Sequence, residues 1–151
     1  MNNKPTLLIS ECLCGVPCRY DGKDNYIDTV EILKKHYELV PVCPEVLGGL
    51  CTPRDPAERQ GNRICTVDGA DVTTQFIRGA ELTVHIAIEH KCEQALLKAK
   101  SPSCGYQRIY DGSFTRTLTD GHGCTVEALL AKNIRIYTEH DIELLVAQKK
   151  R

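Results

Sequence analysis

The sequence has no long hydrophobic run. Its first apolar stretch, residues 7–9, follows a polar start and contains only Leu7, Leu8 and Ile9. A signal peptide needs an apolar core of roughly 7 to 15 residues, and a membrane-spanning helix needs about 20. We therefore expect neither a secretory leader nor a membrane anchor, and we expect the protein to be cytoplasmic.

Net charge is also nearly absent, because the formal charge is −1 and the pI is about 6.5. Without a broad basic surface, tight binding to nucleic acid has little electrostatic support, which favours a small-molecule partner. Internal repeats and low-complexity segments are absent as well. With 42% hydrophobic residues, a chain of 151 residues can form one ordinary core. We expect a single domain over residues 1–151.

Cysteine, in contrast, is abundant, with nine copies in 151 residues. Thiols stay reduced in the cytoplasm, so this abundance favours metal binding or thiol chemistry over a disulfide framework. The sequence lacks the paired CxxC spacing of a zinc ribbon and the CxxCxxC run of a bacterial ferredoxin. Spacing alone therefore does not identify a kind of metal site.

Short apolar runs alternate with segments of helical periodicity. Strands are predicted at residues 6–10, 39–43, 94–99 and 134–137, with a minor edge strand at 63–67. Helices are predicted from residue 28, at 124–131, at 141–148, and after Asp71, the last with a buried stripe of Phe76, Ala80, Val84, Ala87 and Ile88. Residues 44–62 are predicted to be a long loop, and residues 111–123 an irregular segment or a small hairpin.

This alternation predicts an α/β fold: a small three-layer domain with a mostly parallel four-stranded sheet and helices on both faces. Ligands of such sheets bind beyond the carboxyl ends of the strands. Cys12, Cys43 and Cys104 follow the first three core strands, each beside a glycine or proline that favours a turn. Thiolates that meet at one rim of the sheet would hold a metal cluster.

Other interpretations of the cysteines remain open at this point. Cys12, Cys14 and Cys18 form a competing local pattern, and free cysteines also pack readily as small buried hydrophobes. Two function classes compete with catalysis: a structural module whose metal site is closed by four protein ligands, and a thiol oxidoreductase. Core packing is expected for three cysteines on predicted helices or strands, Cys65, Cys92 and Cys124.

Six short sequence blocks lie along nearly the whole chain: ISECLCGVPCRYDG at 9–22, VCPEVLGG at 42–49, TPR at 52–54, DVT at 71–73, KSPSCG at 100–105 and IYDGSF at 109–114. In order and spacing these blocks resemble the thiouracil desulfidase family. The resemblance implies a 4Fe-4S cluster with three protein ligands and one open iron that binds the sulfur of a thiolated nucleobase. The matching ligand positions are Cys12, Cys43 and Cys104. Family members often or usually have other residues at Cys14, Cys18 and Cys51.

The implied reaction exchanges a carbon–sulfur double bond of thiouracil for a carbon–oxygen bond and releases hydrosulfide. Iron acts as a Lewis acid, without net redox change, and a 4Fe-5S cluster is the expected intermediate. The substrates left open are 2-thiouracil, 4-thiouracil, a thionucleoside and a thiolated base in RNA.

Water attack on the ring carbon also requires a base. Glu45, two residues beyond Cys43, is our predicted general base. Ser101 and Ser103 are predicted to hydrogen-bond the substrate, and Ser101 is also assigned a catalytic role, partly through the resemblance. Among the histidines only His122 is placed to approach such a cluster, although a plain turn residue is the better expectation. Two other polar residues, Asp21 and Arg54, are expected mainly to fix loops.

Overall fold

The computed structural model describes residues 4–147. In chain order its elements are β1 (Thr6–Ser10), α1 (Val30–His36), β2 (Glu38–Val42), α2 (Pro44–Leu47), β3 (Ala57–Gln60), β4 (Arg63–Thr66), α3 (Thr73–Glu89), β5 (Gln94–Leu97), β6 (Arg108–Tyr110), β7 (Leu118–Asp120), α4 (Cys124–Leu130), β8 (Arg135–Thr138) and α5 (Ile142–Ala147). Four strands pair in parallel in the order β2-β1-β5-β8. The predicted α/β class and parallel sheet are confirmed.

Helices cover both faces of this sheet. Leu7 and Ile9 of β1 pack on the side of α1 and α5, where Leu33 and Leu145 are fully buried. Leu8 points to the opposite face and packs in a cluster that includes residues of α3 and α4. Side chains of a strand alternate between its two faces, so a strand covered on both sides is apolar at every position. The result is the predicted three-layer arrangement.

Helix α3 is the longest element, with 17 residues. Its predicted buried stripe is right at Phe76, Ala80, Val84 and Ala87 but wrong at Ile88, which is 56% exposed. Each step of four residues turns about 40° further around a helix, so the predicted series 76, 80, 84, 88 leaves the buried face at its end, where Ala87 continues it. The N-cap residue is Val72 rather than the predicted Asp71, although the Asp71 carboxylate accepts a hydrogen bond from the amide of Thr73, the first helical residue, at 2.9 Å.

Helix α2 contacts α3 through two glycines. A Cβ atom at Gly79 would lie 1.9 Å from the carbonyl oxygen of Pro44, and one at Gly48 would lie 1.9 Å from that of Gln75. Only residues without a side chain permit this approach. The contact holds the segment that follows β2, including Cys43 and Glu45, against the longest helix.

Short elements account for the differences from the predicted order. The prediction of a loop over residues 44–62 is wrong at α2 and at β3, which pairs antiparallel with β4. A second hairpin, formed by β6 and β7, occupies the segment where a small hairpin was one of two expectations. Gln148, the predicted end of the last helix, lies outside the described residues. Within residues 4–147, no helix is long and apolar enough to cross a membrane.

Candidate metal centre

A cavity of about 630 Å³ opens beyond the carboxyl ends of β1, β2 and β5. The segments that follow these three neighbouring strands supply much of its wall. Its lining includes all six side chains singled out by the sequence: Cys12, Cys43, Cys104, Glu45, Ser101 and Ser103. Pairing of the strands therefore brings residues from distant parts of the chain to one site.

Local structure positions each of the three cysteines differently. Cys12 lies in a 3-10 turn, Glu11–Cys14, which follows β1 directly and ends at Gly15 with φ 94°. Cys43 stands between β2 and α2 as the residue that caps α2. Cys104 follows the turn after β5, where its amide donates a hydrogen bond to Ser101 Oγ at 2.7 Å. The three side chains nevertheless line the same cavity.

The Cys12 thiol lies in surroundings that favour its thiolate. Hydrogen bonding with Cys18 lowers the pKa of Cys12 to about 7; burial opposes this shift, and Asn25 and the Lys98 ammonium assist it. Asn25 Nδ2 donates to Cys12 Sγ at 3.3 Å. The pKa of Cys43 is lowered as well, again mainly through Cys18. Both thiols therefore lose their protons more readily than an ordinary cysteine thiol.

Cys104 is the opposite case. Burial raises the pKa of its thiol, and the hydroxyls of Ser103 and Ser10 only partly offset the shift. Ser103 Oγ lies 3.6 Å from Cys104 Sγ. A buried thiol of this kind keeps its proton until a metal cation displaces it. Loading this position therefore releases a proton.

The donor set fits an iron–sulfur cluster. Cysteine thiolates are the soft ligands that such clusters use, and here four cysteines line one cavity, among them the predicted trio. Among residues 4–147, no three His, Cys, Asp or Glu side chains converge on a single metal-ion position. A cluster does not require such convergence, because each cysteine binds a separate iron at its own corner.

The remaining cysteines divide into three groups. Cys18 is a fourth thiol in the cavity lining, and it interacts with the thiols of Cys12 and Cys43. Cys14 packs against the apolar cluster beneath α1, and Cys51 is exposed and outside the lining. Core packing holds for the other three as predicted: Cys65 and Cys92 are buried, and the half-buried Cys124 packs against the cluster around Phe76.

Glu45 is held between a cation and a hydroxyl. Arg54 Nε donates to its Oε1 at 3.1 Å, and Ser103 Oγ donates to its Oε2 at 3.1 Å. The exposed fractions of the Arg54 and Glu45 side chains are only 9% and 18%. Arg54 also donates to the carbonyl oxygen of Cys18 at 2.8 Å. It therefore fixes loops, as predicted, and in addition orients the carboxylate.

Two serines connect the carboxylate to the turn before Cys104. Ser101 Oγ and Ser103 Oγ are 3.3 Å apart, and the second of these hydroxyls reaches Glu45. Ser101 also accepts the Cys104 amide, so it stabilises the turn while it faces the cavity. The three side chains form a short hydrogen-bonded path along which a proton can pass.

Two residues that line the cavity were not singled out by the sequence. Asn25 and Lys98 line the cavity, but no sequence pattern indicates this, because their roles depend on contacts across the fold.

His122 does not line the cavity. Its ring stacks on Tyr106 with 5.2 Å between centroids, and its Nδ1 accepts a hydrogen bond from the Gln107 amide at 2.9 Å. Asp21 pairs with Arg19 at 2.9 Å and fixes its own loop, as expected.

A parallel sheet with four thiols, an oriented carboxylate and two hydroxyls at its carboxyl end defines an α/β protein with a cysteine-lined cofactor site. Comparison with known proteins narrows this class. Residues 7–141 match the family model described as 2-thiouracil desulfurase. The chain therefore belongs to the 2-thiouracil desulfurase family, and it is an enzyme of the desulfidase type.

Two relatives illustrate the family. The uncharacterized protein YbbK of Bacillus subtilis (strain 168) is 36% identical over 146 residues, which cover 90% of this chain and 97% of YbbK. The solved structure of the [4Fe-4S]-dependent thiouracil desulfidase TudS is 41% identical, covers 98% of this chain and 100% of its own, and superposes with a TM-score of 0.91. The resemblance drawn from the sequence blocks is confirmed.

Proposed function

We propose that this enzyme uses a 4Fe-4S cluster to convert a thiolated uracil to uracil, with release of hydrosulfide. One observation carries the proposal: Cys12, Cys43 and Cys104 line the same cavity as an oriented Glu45 carboxylate. The dependence of TudS on a 4Fe-4S cluster supports the choice of cofactor. The substrate is a small molecule, in keeping with the near-zero net charge.

In this proposal Cys12, Cys43 and Cys104 would hold the cluster as its only protein ligands. When bound, the cluster would supply a Lewis acid for the carbon–sulfur bond and an acceptor for the sulfide, without net redox change. The overall exchange balances with water alone, because one water provides the new oxygen and its two protons leave with the sulfide as hydrosulfide and a free proton.

Glu45 accepts the proton of the attacking water. Arg54 and Ser103 hold one carboxylate oxygen each, so the group keeps its orientation while it exchanges protons. Ser101 accepts the Cys104 amide through its oxygen, and its hydroxyl proton, which points to Ser103 in the free site, can turn to a polar edge of the pyrimidine. Ser103 passes protons between the other hydroxyl and the carboxylate.

Anaerobic reconstitution with iron and sulfide tests the proposal. We expect a brown protein that forms uracil and hydrosulfide in equal amounts from 2-thiouracil or 4-thiouracil, with no added reductant. The cluster-free protein, handled identically, is the control and should be inactive. A fully loaded protein that leaves both thiouracils unchanged would overturn the assignment.

A second arrangement of the site, in which four cysteines close the cluster, is favoured by one observation. Cys18 is a fourth thiol beside Cys12 and Cys43, and four cysteines would close the site. The Cys18→Ala variant separates the two arrangements. Full cluster content and unchanged turnover support the open, three-cysteine site, whereas loss of the cluster supports the closed one.

A further inference from the structure

The loop between β6 and β7, residues 111–117, has an unusual backbone. Gly112, Phe114 and Arg116 all have positive φ, at 94°, 59° and 60°, and alternate with residues of negative φ. A bulky aromatic residue rarely adopts this conformation unless its surroundings hold it there. Phe114 and Arg116 both line the cavity that contains the cysteines. The strained loop is therefore part of the site wall.

A single carboxylate on the neighbouring hairpin holds this loop. Glu58 of β3 is 9% exposed, and its Oε1 accepts hydrogen bonds from the amides of Gly112 at 3.0 Å and Phe114 at 3.1 Å. Because φ alternates in sign along this loop, the amides of Gly112 and Phe114 point toward one position and form a nest for an anion. The Glu58 carboxylate is the anion in this nest.

Two further contacts show how closely the loop lies on β3. Gln60 Nε2 donates to the Gly112 carbonyl oxygen at 2.8 Å. A Cβ atom at Gly112 would lie 2.9 Å from the carbonyl oxygen of Arg59. None of the ion pairs within residues 4–147 involves Glu58, so backbone amides offset the burial of its charge.

We propose that Glu58 is a positioning residue that acts on the substrate through Phe114. It fixes the Phe114 ring as the surface against which the flat face of the pyrimidine packs. Serines and carboxylates recognise the polar edges of such a ring, whereas an aromatic side chain binds its face. This inference rests on the proposed function, since it assumes a thiolated base as substrate. Beyond that function, the inference predicts that the enzyme selects planar ring thiones over acyclic thioureas.

Kinetics of the cluster-loaded enzyme with 2-thiouracil test the proposal. We expect Phe114→Ala and Glu58→Ala to raise KM roughly tenfold or more, with kcat changed less than about threefold. Glu58→Gln keeps the accepting oxygen and should recover most of the loss, as should Phe114→Tyr. Glu81→Ala, an exposed site on α3, is the control.

Glu58 also lines the cavity, so a direct role in proton transfer predicts a different outcome. In that case Glu58→Gln would lose kcat as severely as Glu58→Ala, and the positioning role would be wrong. Acyclic thiourea gives a further measurement. The preference of the enzyme for 2-thiouracil over thiourea should shrink in Phe114→Ala, and an unchanged preference would contradict the role of the ring.

A fluorescence readout tests the same contact without turnover. The chain contains no tryptophan, so Phe114→Trp introduces a single reporter in the cavity wall. Uracil should quench this emission saturably in the loaded protein, and adding Glu58→Ala should shift the emission to longer wavelength and abolish saturation. An emission that does not change when uracil is added would overturn the inference. Saturable quenching in an enzyme that does not desulfurise thiouracil would instead overturn only the proposed reaction.

Discussion

The hydroxyl of Ser103 donates a hydrogen bond to Oε2 of Glu45 across 3.1 Å. The same hydroxyl lies 3.6 Å from the sulfur of Cys104. One side chain thus joins helix α2 to the turn after β5, and it connects a predicted proton acceptor to a predicted cluster ligand. Substitution of Ser103 is therefore expected to affect both metal loading and turnover.

Replacing Glu45 should separate catalysis from cofactor binding. Glu45→Gln keeps the side-chain shape but removes the proton acceptor, so we expect wild-type iron content and a loss of kcat of about 100- to 10,000-fold. Iron and sulfide analysis, together with the rate of uracil formation, measures both effects. Glu143→Gln, on the exposed face of α5, is the control. Turnover near that of the wild type would rule out Glu45 as the base.

Alanine substitutions of the cysteines should fall into two classes. Loss of Cys12, Cys43 or Cys104 removes one of three ligands, so iron bound per chain should drop to a small fraction of the wild-type value after reconstitution. Cys14→Ala and Cys51→Ala serve as controls, because these side chains lie outside the cavity lining. Equal iron loss in both classes would contradict the ligand assignment.

Gly79→Ala should destabilise the enzyme even though alanine favours helices. The propensity gain of about 1 kcal/mol is outweighed, because the new Cβ would sit 1.9 Å from the backbone carbonyl oxygen of Pro44, which cannot move aside as a side chain can. We expect a net loss of about 1 to 3 kcal/mol in urea unfolding, with reduced iron content. Arg78→Ala, exposed on the same helix, should change neither. A more stable Gly79→Ala protein would disprove the tight contact.

The contribution of Glu139 to stability should depend on pH. Burial raises its pKa, but the Lys98 ammonium, 2.7 Å away, and the Ala99 amide, 2.8 Å away, outweigh that effect, so the pKa is lowered overall. A carboxyl whose pKa is lowered by folding stabilises the fold above its unfolded pKa of about 4.3, and this stabilisation disappears as the pH falls through the folded pKa.

Urea unfolding of Glu139→Gln measures this effect. At pH near 7 we expect the free energy of unfolding to fall by about 1 to 3 kcal/mol, and below a pH of about 4 the difference from the wild type should shrink. The Lys98 contact joins the end of β5 to the turn after β8, so the loss reflects that connection. A difference that is constant with pH would show that the charge is not responsible.

Much of the central architecture was predictable because it depends on local patterns. β1 and β5 are short apolar runs ended by residues that favour turns, and strands of this kind form the buried centre of a parallel sheet. Once their order is known, the position of Cys12, Cys43 and Cys104 at one rim follows from the geometry of parallel strands. The blocks of family-like sequence then favoured this trio over the local set of cysteines.

The remaining features depend on contacts that no local pattern encodes. Helix α2 and strand β3 have four residues each, too few to display a period. The ion pair between Arg54 and Glu45 requires the cavity loops to be folded together. Likewise, the sequence places Glu58 in a predicted loop, and only the folded structure shows that the 111–117 loop donates two amides to its carboxylate.

The order of the strands, β2-β1-β5-β8, has a consequence for biogenesis. Each of the three thiols arrives on a separate crossover, and the last follows β5, two thirds of the way along the polypeptide. A growing chain on the ribosome thus cannot present the complete trio until most of it has been synthesised and paired. If these three thiols hold the cluster as proposed, the cluster would be inserted into a folded domain rather than into a nascent peptide.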